Sequence, residues 1–311
     1  MNSKDSLSIV DNIHEHYAYY SCCKDINSVV LLQDGRIAAA PSNYNIYILN
    51  PNTPTEERQF DIEIENKSEC ACLCLLNNGK LIATSYKNCI TIFSINENSA
   101  TEVFKIDNIE TNIYGFIYKV ITLPGNRFAF SSDDGVIRIA KADEPYSEKL
   151  LARLGPTKGD IKGLVYLKES DLLISLSKED ILFVWNATTY KLLKAVEGVD
   201  CTGNNSMCEI DGERVLVGGV KKFNIVNVKE GKIEDTIENR RFGIVFSAMK
   251  LRGENCFVLG AEAGQLIVYD KVSKKYKIIQ TTAASTKDIK RIDDETFITC
   301  TSPAFVKVWK Y

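Results

Sequence analysis

The chain contains 311 residues, of which 45% are hydrophobic, 9% aromatic and 25% charged. This composition is typical of a globular protein, and it excludes a disordered, collagen-like or membrane-spanning chain. Lysine and arginine total 38 against 41 aspartate and glutamate residues, a net charge of −3, so the chain lacks the broad positive field that duplex nucleic acid or an anionic membrane favours.

The first residues, MNSKDSLS, lack the apolar segment of a secretory signal. We therefore expect a cytoplasmic location, with the nucleus as a second possibility, and we expect the ten cysteines to be mostly free thiols. The longest apolar run, Cys70–Leu76, is far shorter than the about 20 residues that a spanning helix needs. No membrane span is expected.

A hairpin repeat runs through the whole chain. Each copy has a short apolar strand, a short polar turn and a second strand, as in VVLLQDGRIAAA and LCLLNNGKLIAT. Asp-Gly and Asn-Gly pairs at several turns tolerate the positive φ that tight hairpins require. The turns recur every 41 to 46 residues, at Gly35, Gly79, Gly125, Ser170, Gly212, Gly253 and Asp294.

A third and a fourth strand complete most copies. The third strands are rich in β-branched or alternating apolar residues and read IYILN, ITIFS, VIRIAK, LFVWN, FNIVN, LIVYD and VKVWK. Weaker fourth strands are predicted at 58–62, 102–106, 149–154, 191–196, 232–237 and 275–280. A four-stranded unit has two apolar faces that it cannot cover alone, so neighbouring units must stack. The sequence predicts an all-β fold, a closed seven-bladed β-propeller of four-stranded antiparallel blades.

We expect one domain over residues 1–311, because the repeats fill the chain. The predicted blades lie at about 26–62, 69–106, 116–154, 160–196, 205–237, 244–280 and 287–311. The seventh copy ends at Tyr311 without a fourth strand of its own, so a strand within residues 6–22 must complete it and remove the open edge. Ser6–Asn12 is the preferred segment, and His16–Cys22 is the alternative.

The repeat resembles that of the WD-repeat family. The resemblance is carried by the repeat length, the four strands and the closing dipeptides Trp185-Asn186, Tyr269-Asp270 and Trp309-Lys310, and it covers residues 6–311. The copies are degenerate, because none ends in Trp-Asp and no histidine follows His16. The family's hydrogen-bonded network of histidine, turn aspartate and tryptophan is therefore not expected, and aliphatic and aromatic side chains should hold the blades together. The resemblance implies a rigid, non-catalytic platform for protein interactions.

Few residues could carry chemistry. His14 and His16 share a strand face, but no third metal ligand lies near them in the sequence. Cys70, Cys72 and Cys74 are expected on one face of a strand, where small thiols pack against apolar neighbours. The sequence lacks phosphate-loop, nucleophile-elbow and dinucleotide motifs. We expect no enzymatic activity, no metal and no cofactor.

The candidate binding residues lie on one face of the expected ring, which carries the turns between second and third strands and the connections between blades. The turns contain Tyr44, Tyr86 and Phe305, and the connections contain Tyr114, Phe116, Arg240, Arg241 and Phe242. Tyrosine, tryptophan and arginine dominate binding energy at protein interfaces. We expect this face to dock a peptide or protein partner, with packing of these aromatics under their own loops as the alternative.

The sequence also allows other functions. The protein could recruit substrates for a ubiquitin ligase or serve another multi-protein complex, and we expect a monomeric propeller within such a complex. It could also bind phosphate or phosphoinositide through basic turns that contain Lys271, Lys274, Lys275, Lys277, Arg240 and Arg241. Such binding would depend strongly on salt. A nucleic acid is not expected as a partner, and a hydrolytic propeller would need a metal or clustered carboxylates in its channel.

Overall fold

The structure, a computed structural model, describes residues 13–20, 25–51, 62–65, 69–107, 109, 115–147, 149–251 and 255–311. These residues form 28 strands in seven four-stranded antiparallel sheets, which stand in a ring as blades. The seven-bladed propeller expected from the repeat is confirmed. Within the described ranges, no helix has the length and apolar character needed to cross a membrane.

The first strand, β1 (His14–Tyr20), belongs to the last blade, and each other blade runs along the chain from the centre of the ring outwards. Blade one contains β2 (Ile26–Leu31), β3 (Ile37–Pro41), β4 (Asn45–Leu49) and β5 (Ile62–Glu65). Blade two contains β6 (Cys70–Leu75), β7 (Leu81–Ser85), β8 (Ile90–Ile95) and β9 (Ala100–Ile106). Blade three contains β10 (Ile117–Leu123), β11 (Arg127–Ser132), β12 (Ile137–Lys141) and β13 (Ala152–Leu154).

Blades four to seven complete the ring. Blade four contains β14 (Ile161–Leu167), β15 (Leu172–Ser177), β16 (Ile181–Asn186) and β17 (Leu192–Glu197). Blade five contains β18 (Met207–Asp211), β19 (Arg214–Gly218), β20 (Lys222–Asn227) and β21 (Lys232–Glu238). Blade six contains β22 (Val245–Lys250), β23 (Cys256–Ala261), β24 (Gln265–Asp270) and β25 (Lys275–Gln280). Blade seven contains β26 (Ser285–Arg291), β27 (Thr296–Ser302), β28 (Phe305–Lys310) and β1.

The fourth strand of blade one lies later in the chain than the sequence predicts. The expected segment was 58–62, whereas β5 pairs Ile62 with Ile48 and Ile64 with Ile46. The alternating Ile-Glu sequence of β5 matches the alternation of β4, which fixes this register. Most of the expected segment, residues 58–61, lies outside the described residues.

Two hairpin turns depend on glycine for different reasons. Gly35, between β2 and β3, has a φ of 85°, a conformation that residues with a Cβ atom resist. Gly212, between β18 and β19, lacks the positive φ that its Asp-Gly sequence predicts. A Cβ atom there would lie 2.8 Å from Cβ of Glu169. Close approach of blade four therefore explains this second glycine.

Apolar layers between neighbouring blades hold the ring together, as the sequence predicts. Trp185 of blade four lies in one cluster with Leu123 and Ile139 of blade three, and Trp309 of blade seven lies in another with Met249 of blade six. Each indole also donates a hydrogen bond to a hydroxyl of the neighbouring strand, at 2.9 Å in both blades: Trp185 to Ser175 and Trp309 to Thr299. Each tryptophan is thus held by one hydrogen bond to a hydroxyl group, although the repeats lack the histidine that the WD-repeat network uses.

The three cysteines of β6 do not share one face, so that expectation is wrong. The register of β6 against β7 shifts between Cys70 and Cys72, because Ala71 forms a β-bulge. Cys70 consequently packs in the layer between blades one and two, whereas Cys72 packs in the layer between blades two and three. Both thiols are buried among apolar side chains, which agrees with their expected packing role.

The ring is closed by the N-terminal strand, as expected, but by a different segment. The strand that pairs antiparallel with β28 is His14–Tyr20, from His14 opposite Lys310 to Tyr20 opposite Phe305. The preferred choice of Ser6–Asn12 is therefore wrong, because the single free edge of β28 is already occupied; residues 6–12 themselves lie outside the described residues. The alternative, His16–Cys22, overlaps most of the observed strand.

A buried ion pair fixes the turn between β11 and β12. The guanidinium of Arg138, 1% exposed, contacts both carboxylate oxygens of Asp134 at 3.1 and 2.5 Å. Burial alone would raise the pKa of Asp134, but hydrogen bonds from Arg138 and Ser132 outweigh it and lower the pKa below 3.8. The stabilising effect is therefore complete above about pH 4, and it is lost as the pH falls through the lowered pKa.

We expect Asp134→Asn to lower the free energy of unfolding at pH 7 by about 2 kcal/mol, because it removes the carboxylate charge that both terminal nitrogens of a buried guanidinium contact. Urea unfolding of both proteins at pH 7 and at progressively lower pH measures the difference. The difference should shrink below pH 3.8. A difference independent of pH would contradict the ion pair.

Candidate binding site at the mouth of the central channel

The innermost strands surround a central channel, and a repeated irregularity shapes one end of it. Six of these strands have a register shift near their start that leaves one residue outside the regular pairing, the second residue in five strands and the third in β26. A β-bulge re-aims the side chain of the extra residue. The residues at these positions are Asn27, Ala71, Tyr118, Lys162, Phe246 and Lys287. We call this end of the channel the upper mouth.

Three aromatic rings form a cluster at the upper mouth. Tyr86, from the turn between β7 and β8, lies edge-on to Phe116 with ring centres 5.4 Å apart. The ring of Tyr118 lies 6.4 Å from Tyr86 and 5.9 Å from Phe116. All three contacts are edge-to-face, the arrangement that aromatic quadrupoles favour. The cluster therefore forms a preordered apolar platform that links blades two and three.

A lysine covers one ring of this platform. Nζ of Lys162 lies 3.2 Å from the centre of the Tyr118 ring and 3.4 Å from Oδ2 of Asp160. The Tyr118 hydroxyl donates a hydrogen bond of 3.1 Å to the same Asp160 oxygen. Burial lowers the pKa of Lys162 despite the opposing effect of Asp160, and burial next to that carboxylate raises the pKa of Tyr118. Tyr118, Lys162 and Asp160 therefore hold one another in place.

A second pair of a lysine and an aromatic ring, Lys287 and Phe246, lies across the mouth from blade four and faces a cavity of about 230 Å³. Nζ of Lys287 lies 4.3 Å from the centre of the Phe246 ring, and both residues line this mouth cavity together with Tyr86. Among the described residues no carboxylate lies within 4 Å of the Lys287 ammonium. The ammonium instead lies over the face of an aromatic ring, a contact of about 0.5 to 2 kcal/mol, and Asp25 lines the same cavity without forming an ion pair with it.

Asn205 forms the floor of the mouth cavity. Its side-chain amide donates a hydrogen bond of 3.2 Å to the backbone oxygen of Lys287, and its oxygen accepts one from Nζ of Lys119. These contacts join blades three, five and seven across the axis of the ring. Asn205 also lines a second cavity beneath it, so it separates the upper mouth from the lower part of the channel.

The structure brings together two of the residues predicted from the sequence, Tyr86 and Phe116. Tyr44 lies in the turn between β3 and β4 and is 50% exposed, but it does not line the mouth cavity. Phe305 begins β28 and lies half-buried, 5.5 Å from Nζ of Lys307. Tyr114 lies outside the described residues.

The three neighbouring residues of the connection between blades five and six behave differently from one another. Arg240 and Arg241 are exposed on the rim, as expected, but they do not line the mouth cavity. The side chain of Phe242 is buried rather than exposed, at 2%. Its ring stacks on Phe223 at 6.0 Å and meets Tyr276 at 4.9 Å, because it completes the apolar layer between these blades. Phe242 is therefore not available to a partner, and the alternative expectation, that these aromatic residues pack under their own loops, is confirmed for this residue.

Sequence reasoning missed Tyr118, Lys162, Phe246 and Lys287. Each of them lies at the register shift near the start of an innermost strand, where regular strand alternation would place it against a neighbouring blade. The signal that could have found them is positional, since aligning the seven repeats places these residues in one column. The residue types at this aligned position differ from repeat to repeat, so they form no sequence motif. Only the location of the position at the axis of the ring indicates a binding role.

The basic turns of blade six are partly neutralised. Lys274 forms an ion pair of 2.6 Å with Asp235, and Lys271 lies 3.5 Å from Asp211. These pairs reduce the charge that the turns would offer to a phosphate group. Lys275 is exposed nearby.

The fold and this site define a class of protein: a seven-bladed β-propeller whose channel mouth presents aromatic rings and lysines. In comparisons with known proteins, no family model matches the chain and no curated protein matches it. In the described part of the chain, no group of three or more His, Cys, Asp or Glu side chains could hold a metal ion.

Proposed function

We propose that the protein is a non-catalytic interaction scaffold that docks a peptide or a protein loop at the upper mouth. The observation that carries this proposal is the pairing of Lys287 with Phe246 beside Tyr86 in one cavity. Buried aromatic rings and desolvated cations provide most of the binding energy at protein interfaces. Here they are already ordered by packing, which lowers the entropy cost of binding.

The size of the mouth cavity supports a protein partner. Its volume of about 230 Å³ is below the roughly 300 to 1,000 Å³ of sites that enclose a drug-sized molecule. A cavity of this size suits one protruding side chain, while the surrounding rim contacts the rest of the partner. The Lys287 ammonium, which has no carboxylate within 4 Å among the described residues, favours an acidic residue in the docked segment.

We also propose, on the repeat length and on Trp185 and Trp309 as closing residues, that the chain is a divergent member of the WD-repeat family and forms one domain. The eight cysteines that the structure describes are free thiols, which supports a reducing compartment such as the cytoplasm or nucleus. In this proposal the propeller acts as a monomer within a larger complex.

A peptide selection tests the proposed site. Peptides would be selected from a displayed random library on the wild-type protein, and their dissociation constants measured by fluorescence polarisation. We expect selected peptides to combine an acidic with a large apolar residue. Phe246→Ala and Lys287→Gln should each weaken binding about 10-fold or more, since contacts at the centre of an interface contribute about 2 kcal/mol each.

Lys275→Gln is the matched control, because it removes an exposed lysine from the opposite face. It should leave peptide affinity unchanged. Peptides that bind equally well to the wild type and to both mouth variants would refute docking at the upper mouth. Loss of binding in Lys275→Gln alone, with strong salt dependence, would instead favour the basic turns as the binding surface.

A further inference from the structure

The lower channel, beneath Asn205, contains a cavity of about 470 Å³. It opens towards the turns between the first and second strands of the blades, on the face opposite the upper mouth. Its volume falls in the range of small-molecule sites. Its walls are mostly apolar and include Val120, Leu164, Val165, Met207 and Ala248.

One cation in this cavity is buried without a charged partner. Lys119 is 9% exposed, and its Nζ donates a hydrogen bond to the side-chain oxygen of Asn205. No carboxylate of the described residues lies within 4 Å of this ammonium group. An ammonium has three protons to donate, and a buried charge is costly unless it is paired and hydrogen-bonded.

The ion pair that contributes Lys290 to the lining of this cavity does not supply the missing partner. Asp288 and Lys290 pair at 2.6 Å on β26. The Asp288 carboxylate also accepts hydrogen bonds from Ser28 Oγ at 3.1 Å and from the backbone amides of Val29 and Ile289 at 3.2 and 3.0 Å. Both of its oxygens are therefore fully used, and Asp288 neutralises Lys290 rather than Lys119.

The thiols that line the cavity do not supply a negative charge either. Burial raises the pKa of Cys74 to about 12, although Lys119 and Lys290 oppose the shift. Burial likewise raises the pKa of Cys208 to about 12, against the effect of Lys250. Both thiols are neutral near pH 7. The lower channel therefore keeps a positive charge at its inner end and apolar walls around it.

We propose that the lower channel binds a small monocarboxylate with an apolar body. Its carboxylate pairs with the Lys119 ammonium beneath Asn205, and its hydrocarbon body lies against Val120, Leu164 and Met207. Of the two lysines in the described lining, Lys290 pairs with Asp288 and Lys119 has no carboxylate within 4 Å, so a single negative charge on the ligand matches this site. The apolar walls disfavour a strongly hydrated dianion such as inorganic phosphate. This site is distinct from the upper mouth and does not depend on the function proposed for it.

Calorimetric titration of the full-length protein with octanoate, 1-octanol and octylammonium tests the site. The three probes share one apolar chain and differ in their charge. We expect octanoate to bind the wild type about 10-fold or more tightly than 1-octanol, because a charge-assisted hydrogen bond is roughly twice as strong as a neutral one. Octylammonium should bind most weakly.

Lys119→Gln is the informative variant, since glutamine keeps a donor for Asn205 but removes the charge. Octanoate affinity should fall about 10-fold, to that of 1-octanol, whereas 1-octanol affinity stays unchanged. Lys287→Gln, in the upper mouth, should leave octanoate affinity as in the wild type. Equal binding of octanoate and 1-octanol by the wild type, no octanoate binding, or an unchanged preference in Lys119→Gln would overturn the proposal. The wild-type series decides the question even if Lys119→Gln does not fold.

Discussion

Removal of residues 2–20 should lower the melting temperature by about 8 °C or more. The truncation deletes β1 and so exposes the edge of β28. It also removes Glu15, which lies 2.8 Å from Nζ of Lys307, and leaves that 2% exposed lysine without its carboxylate partner. Ile13, which packs in the cluster of Trp309, is lost as well. Loss of a buried ion pair and of core contacts together should cost about 5 kcal/mol or more.

A shorter truncation is the matched control. Removal of residues 2–11 retains Ile13 and the whole of His14–Tyr20, so we expect a melting temperature close to that of the full chain. Differential scanning calorimetry of the three proteins compares them. Equal melting of the full chain and the longer truncation would contradict closure by β1. If the shorter truncation lowers the melting temperature as much as the longer one, Ser6–Asn12 and not β1 is the segment that closes the ring.

Asp288→Ala should destabilise the protein by about 4 kcal/mol. This carboxylate connects the seventh blade to the first, because it accepts hydrogen bonds from Ser28 Oγ and from the amide of Val29. It is 1% exposed and also pairs with Lys290. The substitution would leave a buried amide, a buried hydroxyl and a cation without their acceptor, and each unsatisfied group costs free energy.

Urea unfolding measures this effect, with Glu97→Ala as the control. Glu97 is an exposed carboxylate in the turn between β8 and β9, and its removal should change stability by less than about 0.5 kcal/mol. Asp288→Asn should lie between the two, because an amide retains one acceptor oxygen. If Asp288→Ala unfolds at the same urea concentration as Glu97→Ala, the carboxylate does not join the two blades.

The repeat made the fold predictable from the sequence. Turn residues such as Gly35 and Gly79 mark each hairpin, and the regular spacing sets the number of blades. The closing segment was harder to predict, because both candidate segments contain residues able to form a strand. Its choice depends on register against β28, from His14 opposite Lys310 to Tyr20 opposite Phe305. A single sequence does not encode this pairing in a local pattern.

The site was predictable only in part. Tyr86 and Phe116 lie in a turn and a connection whose face follows from the topology of a propeller. Tyr118, Lys162 and Phe246 reach the channel through β-bulges, and a bulge shifts the alternation on which strand predictions rely. The bulge at Ala71 likewise places Cys70 and Cys72 in different layers between blades. The sequence therefore predicted which face could bind, whereas the bulges determine which side chains line the mouth.

Asn205 gives the channel two chemically different ends. Above it, Lys287 and Phe246 face a small cavity suited to a side chain of a protein partner. Below it, Lys119 faces a larger apolar cavity suited to a small carboxylate. Asn205 contacts both lysine residues, through the Lys287 backbone oxygen and the Lys119 ammonium. The Lys287→Gln and Lys119→Gln variants therefore test the two sites separately.

Amide hydrogen exchange of the intact protein tests the closed ring most directly. We expect the amides of β1 and β28 that pair with each other to exchange as slowly as those of β15, a middle strand of blade four. Rapid exchange of His14–Tyr20, at the rate of an unfolded chain while β15 remains protected, would show that the ring is not closed by this strand.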